Sequence, residues 1–360
     1  VRVVIQRDDD AIDAFDLADG TIVRLASRPE PGALQHQPTP DPSGRFVAWA
    51  GARPGDDGTE AFVAVHDLAT QTTVRHAVLF PGFYLHWRPD SGAIGVLANG
   101  PLGLELTVVD VVAGTARLVA RGAPLFFDWS PDGWLCLHLG PPGEDRLVLV
   151  SPDGDDWECP SRPGGFTAPA WHPEGDRVLV TLGDGTLAWW WRDDATTTPL
   201  APAPAPARFT LSGDGRRATL TAGTTGLGVL DLFTGRHTAV VPEPPIATWW
   251  SPDGASLLLL EAGMVGGLPW VRHRVWASGE MRWGGIWHRP SAVAARHYLP
   301  FPEQYQRSHR VWIADGSAHV FAGSDTIGRE GLWCEPHAGP VRHLGAGTQV
   351  IALADPLAGL

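Results

Sequence analysis

Short apolar runs, roughly four to eight residues long and bounded by Gly, Pro, Asp and Ser, recur along the whole chain, the pattern of half-buried β-strands. Arg45 to Ala50, Ala61 to Asp67 and Thr73 to Leu79 are three successive runs of this kind. The sharpest punctuation between runs is WSPDG, Trp250 to Gly254, followed by the apolar stretch Ala255 to Leu260. Ser-Pro-Asp-Gly matches a type I turn: Pro presets φ, Asp tolerates the third place, and Gly takes the left-handed fourth. Such a turn closes a tight hairpin, and the Trp before it offers a large apolar face worth about 1.5–3 kcal/mol if buried.

Degraded copies stand around Pro40, Trp87, Trp129, Trp171, Leu211 and Trp312, with steps of 47, 42, 42, 40, 39 and 62 residues when Trp250 is included. Four short strands per step at this period are the signature of β-propeller blades. Third strands are readable in LELTVVD (104–110), RLVLVSPDG (146–154), LAWWWRDD (187–194) and LGVLDLFTG (227–235). The period passes unbroken through the Ala/Pro stretch Leu200 to Ala207, which reads as a connection between blades. Val1 to Ser27 supplies second, third and fourth strands without a first, and Gln349 to Pro356 supplies a first strand with nothing after it. Paired, they close the ring as one composite blade and remove the open sheet edge. The expected fold is therefore all-β: a single propeller of eight four-stranded blades, or seven if the terminal pieces do not pair. Residues 1–360 form one domain, with an extended insertion over 261–307.

The WSPDG copies, each followed by an apolar second strand, resemble the TolB-like propeller repeats. These repeats are also found in the propeller domains of prolyl-oligopeptidase and dipeptidyl-peptidase-IV-type enzymes. The segment YLPFPEQYQRSHRVWIADGSAHVFAG (298–323) is similar to a final-blade sequence of bacterial TolB-like proteins. What the resemblance implies is the fold. The peptidases need an α/β-hydrolase domain for which no residues remain, and the chain has no GxSxG nucleophile elbow.

A formal net charge of −13 makes nucleic acid an unsuitable partner. All 27 basic residues are Arg, so a lysine Schiff base is impossible, and no cofactor is implied. Cys136, Cys159 and Cys334 are too far apart for a CxxC site, and their odd number favours a reducing compartment. No apolar run approaches the roughly twenty residues of a membrane span. The chain opens directly in the strand-like run Val1 to Ile5. A cytoplasmic monomer is expected; an exported protein that had lost its leader would read the same.

Candidate chemistry sits where the copies differ. One place before the motif Trp stand Thr39, His86, Asp128, Ala170, Thr210, Trp249 and Val311; three places before it stand Gln37, Tyr84, Phe126, Ala168, Arg208, Ala247 and His309. Strand alternation puts both sets on one side. His86 and Asp128 occupy equivalent places in adjacent blades and form a candidate acid/base pair. Tyr84 and Trp249 would wall the site, and Arg208 or Arg310 would clamp an anionic group. The same residues would equally serve to tie blades together around a wet channel.

A second candidate is the long step after Trp250. Between Val271 and Arg310 lie seven Arg against Glu280 and Glu303, with four His and three Trp interleaved. Arg274 on such a surface suits a planar anion; solvated Arg on an amphipathic hairpin is the plainer alternative. If Ser291 to His309 folds over the channel mouth as a lid, Glu303 and Tyr305 are its functional side chains. Metal signals are poor, since Cys334, His337 and His343 straddle an outer hairpin without a fourth partner. Two readings follow. The first is a binding protein or scaffold holding a small molecule, peptide or protein at the channel mouth, an anion among the candidates. The second is a lyase, cyclase, isomerase or hydrolase of bacterial specialised metabolism that works without a cofactor.

Overall fold

The computed structural model describes residues 1–56, 58–141, 144–222 and 225–354. Among the described residues its sheets are antiparallel, six of them four-stranded and one eight-stranded, and their four-stranded groups are the blades of a β-propeller; the chain forms two compact units with four blades each. The first unit comprises Val1–Arg121, Trp287–Pro300 and Tyr305 onward; the second comprises Gly122–Ile286 and Phe301–Gln304.

In the first unit, the composite blade has the order Ile22–Ala26, Ile12–Asp16, Arg2–Gln6, Gln349–Ala352. The two ends of the chain pair in antiparallel register, Val3 opposite Ala352 and Ile5 opposite Val350. The end of the expected strand, residues 355–356, lies outside the described residues. The next blade is Leu34–Pro40, Phe46–Gly55, Gly58–Asp67 and Thr72–Val78, within a few residues of the runs read from the sequence. A third is Gly82–Trp87, Ala93–Gly100, Gly103–Asp110 and Thr115–Gly122. In the fourth, Ala318–Asp325, Glu330–Pro336 and Arg342–Gly345 follow a divided first strand. His288–Pro290 pairs with one end of Ala318–Asp325, and Trp312 bridges to His319 at the other. Between the two halves lie a π-helical turn, Ala294–Tyr298, and a short helix, Pro302–Ser308. The extra length expected over 261–307 includes this helical interruption, which strand periodicity alone does not foretell.

In the second unit, the blades begin at Leu125–Trp129, Ala170–Trp171, Ala207–Leu211 and Ala247–Trp250. The Ala/Pro stretch joins two of them: Leu200 and Ala201 finish the outer strand Thr197–Pro202, and Ala207 starts the next blade. The long hairpin Ser256–Val265 with Leu268–Ala277 is edged by Glu280–Gly284. Its Trp276 packs with Leu227, Val229, Leu257 and Leu259 of this and the preceding blade.

Sequence alone explains the turns in part. Gly254 takes φ +64°, as the motif requires. The Ser and Asp do more than tolerate the turn. Ser251 Oγ donates to Asp253 at 2.6 Å and accepts from Ser256 N–H at 2.8 Å, and Ser130 and Ser212 repeat both bonds. Apolar side chains of adjacent blades then close against each other, as Cys136, Leu147 and Leu149 do on Trp171, Val178, Val180 and Trp190. Each such side chain contributes about 1.5–3 kcal/mol on burial, which is why the Trp recurs.

Candidate functional site

In the first unit, the strands Gln349–Ala352, Leu34–Pro40 and Gly82–Trp87 neighbour one another and carry polar side chains at their first-strand positions. The helical interruption adds more. Tyr84 and Tyr305 meet edge to face with ring centres 5.0 Å apart, and Tyr305 and Tyr298 lie at 4.8 Å. The sequence contains three tyrosines, and all of them are in this cluster. His309 stands 4.5 Å from the Tyr298 ring and 5.1 Å from that of Tyr305. His86 is 6.2 Å from Tyr84.

The local sequence places these groups. Strand alternation sends Tyr84 and His86 to one side of their strand. One turn of helix separates Tyr305 from His309, whose backbone N–H donates to the Tyr305 carbonyl. The Tyr305 hydroxyl donates to the Phe83 carbonyl at 3.1 Å, fastening the helix to the strand. Arg310 follows outside any strand, its carbonyl accepting from Ala352 N–H.

Burial makes the cluster electrically quiet. It pulls the His309 imidazole down to about 3, with His86 adding a smaller push in the same direction. It raises both the Tyr298 and Tyr305 phenols. It lowers the Arg310 guanidinium, against the opposing pull of Asp41. His36 is lowered by burial and by His297. His309 engages Ser308 Oγ through Nδ1 at 2.6 Å, while its Nε2 is enclosed without a hydrogen-bond partner.

The other expected site residues fall in the second unit. One oxygen of Asp128 accepts the Trp171 backbone N–H at 2.8 Å, tying adjacent blades, while His86 belongs to the first unit. Arg208 pairs with Glu303 at 3.4 Å beside a cleft of about 30 Å³, room for little more than a water. Trp249 lies 6.2 Å from His273. Arg274 and Arg272 both face Glu261, at 3.3 and 3.7 Å, which cancels part of the positive charge read from that stretch. Gln304 is an unforeseen contributor: its amide accepts from Phe127 N–H at 3.2 Å and donates to Phe127 O at 3.0 Å.

Sequence reasoning also missed a buried pair across a hairpin. His138 Nε2 meets Asp145 at 2.8 Å, but its Nδ1 meets the Thr167 carbonyl at 2.8 Å, so both nitrogens are committed. His172, Glu174 and Asp176 bring ligand atoms within 4.8 Å of one another, yet Arg177 already bonds to all three. Cys334 packs in the core beside Val320 and Leu332, His337 lies against Trp312, and His343 pairs with Arg329. Among the described residues, no helix is long and apolar enough to cross a membrane.

The fold is therefore that of a β-propeller carrying a buried tyrosine–imidazole cluster. No family model matches the chain, and no curated protein matches it. Among solved structures, it is similar to the β-propeller domain of the Trilobed protease from Pyrococcus furiosus, at 13% identity, TM-score 0.53, covering 88% of this chain and 99% of that one. It is similar to an oligogalacturonate lyase in complex with manganese, at 14%, 0.54, 94% and 96% respectively. It is also similar to a prolyl endopeptidase, at 11% and 0.59, covering 90% of this chain and 51% of the other. At such identities the likeness shows the fold alone, and the resemblance to TolB-like repeats stands as membership of the propeller fold.

Proposed function

We propose that this propeller is a binding protein for a small molecule, held at the cluster of Tyr84, Tyr298, Tyr305, His86 and His309. The observation that carries the reading is the gathering of all three tyrosines with His309, whose Nε2 is buried without a partner. An unsatisfied buried polar atom costs about 1–3 kcal/mol, a cost that a ligand would relieve. Enclosure of the polar atoms favours a small molecule over a protein surface. Binding is favoured over catalysis because an imidazole held near 3 is a poor general base at neutral pH.

The test is equilibrium dialysis of the protein against a metabolite extract of molecules below about 1 kDa, read by mass spectrometry. Wild type should retain a compound unchanged in mass that His309→Phe, equally folded by its melting temperature, does not. Retention of nothing sinks the reading. Conversion of the compound to a new mass would favour the enzyme instead.

A further inference from the structure

The enclosed polar atoms around the cluster define what it would accept. His309 Nε2, the Tyr298 hydroxyl, both amide atoms of Gln349 and Gln37 Oε1 are all buried without a full hydrogen bond. The Gln349 amide is the polar group acting on the Tyr298 hydroxyl, short of good hydrogen-bond geometry. Gln37, Gln349 and His309 are 4%, 3% and 6% exposed, so solvent does not serve them. They come from neighbouring pieces of the first unit: the strands Leu34–Pro40 and Gln349–Ala352, the π-helical turn, and the residue after the short helix.

Gln37 carries a second signal. It sits at φ +59°, where a side chain is seldom found, at the break of register between His36 and Thr39. Thr39 Oγ1 holds the kink by donating to the Gln37 carbonyl at 2.9 Å. Strain of this kind costs on the order of 1–3 kcal/mol and collects at ligand sites.

We infer that the cluster selects an uncharged, hydroxyl-bearing ligand, a polyol or neutral sugar, whose hydroxyls bond to Gln37, Gln349, Tyr298 and His309 while its C–H face lies on the tyrosine rings. The inference rests on the small-molecule reading above. Its chemistry is a matter of matching. Gln37 Oε1 and Gln349 Oε1 need donors, the Gln349 NH₂ needs acceptors, and a hydroxyl provides both. A buried ion would need a counter-charge; the phenols and the His309 imidazole supply none at neutral pH, and the guanidinium of neighbouring Arg310 already answers to Asp41. Aromatic rings and neutral amides together match that demand.

Calorimetry on the full chain at pH 7.5 with myo-inositol, D-glucose, inorganic phosphate, citrate and choline tests it. A neutral probe should bind saturably, and Gln349→Leu and Tyr298→Phe should each weaken it at least tenfold, with Ser251→Ala, a turn residue of the second unit, as the control. Binding of phosphate, citrate or choline in place of the neutral probes overturns the charge assignment and leaves the small-molecule reading standing. Binding of no probe overturns the inference, and the extract experiment then decides the broader reading separately. A Gln349→Leu variant that melts higher and binds the neutral probe unchanged would mean the amide holds internal water only, which also overturns it.

Discussion

Trp87 donates its indole N–H to the backbone carbonyl of Thr39, 2.9 Å away in the preceding blade. Trp250 does the same to Thr210 at 3.3 Å, so the motif Trp spans blades by a hydrogen bond as well as by its apolar face. Trp171 breaks the pattern. Its indole N–H is buried without a partner, and its backbone N–H takes an Asp128 oxygen instead.

This contrast predicts unequal costs for one substitution. Trp87→Phe loses a buried hydrogen bond to the Thr39 carbonyl, whereas Trp171→Phe removes an unsatisfied donor. Both lose similar ring volume. Trp87→Phe should therefore be more destabilising by about 1–3 kcal/mol, read as the difference in urea-unfolding free energy. Equal costs would show that the indole bond contributes nothing net.

Closure of the composite blade predicts that the chain depends on its last strand. Truncation after Gly347 removes Gln349–Ala352 and exposes the faces that Val350, Ile351 and Leu353 cover. Three such side chains are worth about 1.5–3 kcal/mol each, before the loss of the strand's hydrogen bonds. The melting temperature should drop by more than 10 °C, or folding should fail; an unchanged value would refute closure.

The fold was legible because its turns are local. Ser-Pro-Asp-Gly specifies a hairpin from its own chemistry, so the blade count and even the pairing of the C-terminal strand with the N-terminal ones could be read from spacing. Tyr84 and His309 were reachable because they stand three places before a motif position. Gln349 was not, since no motif copy follows it to give a register. Tyr298 was missed because it lies on a π-helical turn that interrupts a strand, where neither period 2 nor period 3.6 holds. The meeting of Tyr84 with Tyr305 depends on how a helix docks across more than two hundred residues of chain, and no local pattern encodes that.

The Ser of the motif should be worth more than its turn propensity suggests. Ser251→Ala removes the bond to Asp253 and leaves the Ser256 N–H without its side-chain acceptor. A cost of about 1–2 kcal/mol is expected, with Ser251→Asp recovering part of it by accepting from the same N–H. Asp41 already occupies this place in the blade of Leu34–Pro40, accepting from Phe46 N–H at 2.8 Å. Chemical denaturation of the three proteins checks both the size and the rescue.

Acid should unfold the protein through its buried imidazoles before its carboxylates. His309 is held at about 3 and His337 at about 4, each mainly by burial, against roughly 6.5 when unfolded. A histidine depressed in this way stabilises the fold fully above about 6.5, and the contribution is lost as pH falls towards the folded value. Each such group should lower the unfolding free energy by up to about 1.4 kcal/mol per pH unit between about 6.5 and 4. Asp67, lowered to about 2 chiefly by its hydrogen bond to Arg45, acts in a separate window between about 4 and 2 and, because that Arg45 partner is exposed, acts weakly. The urea midpoint should therefore slide between pH 6.5 and 4, and His309→Phe should flatten the slope by about one proton's worth. If wild type and variant keep parallel slopes across that range, His309 is not the buried neutral group that the cluster requires.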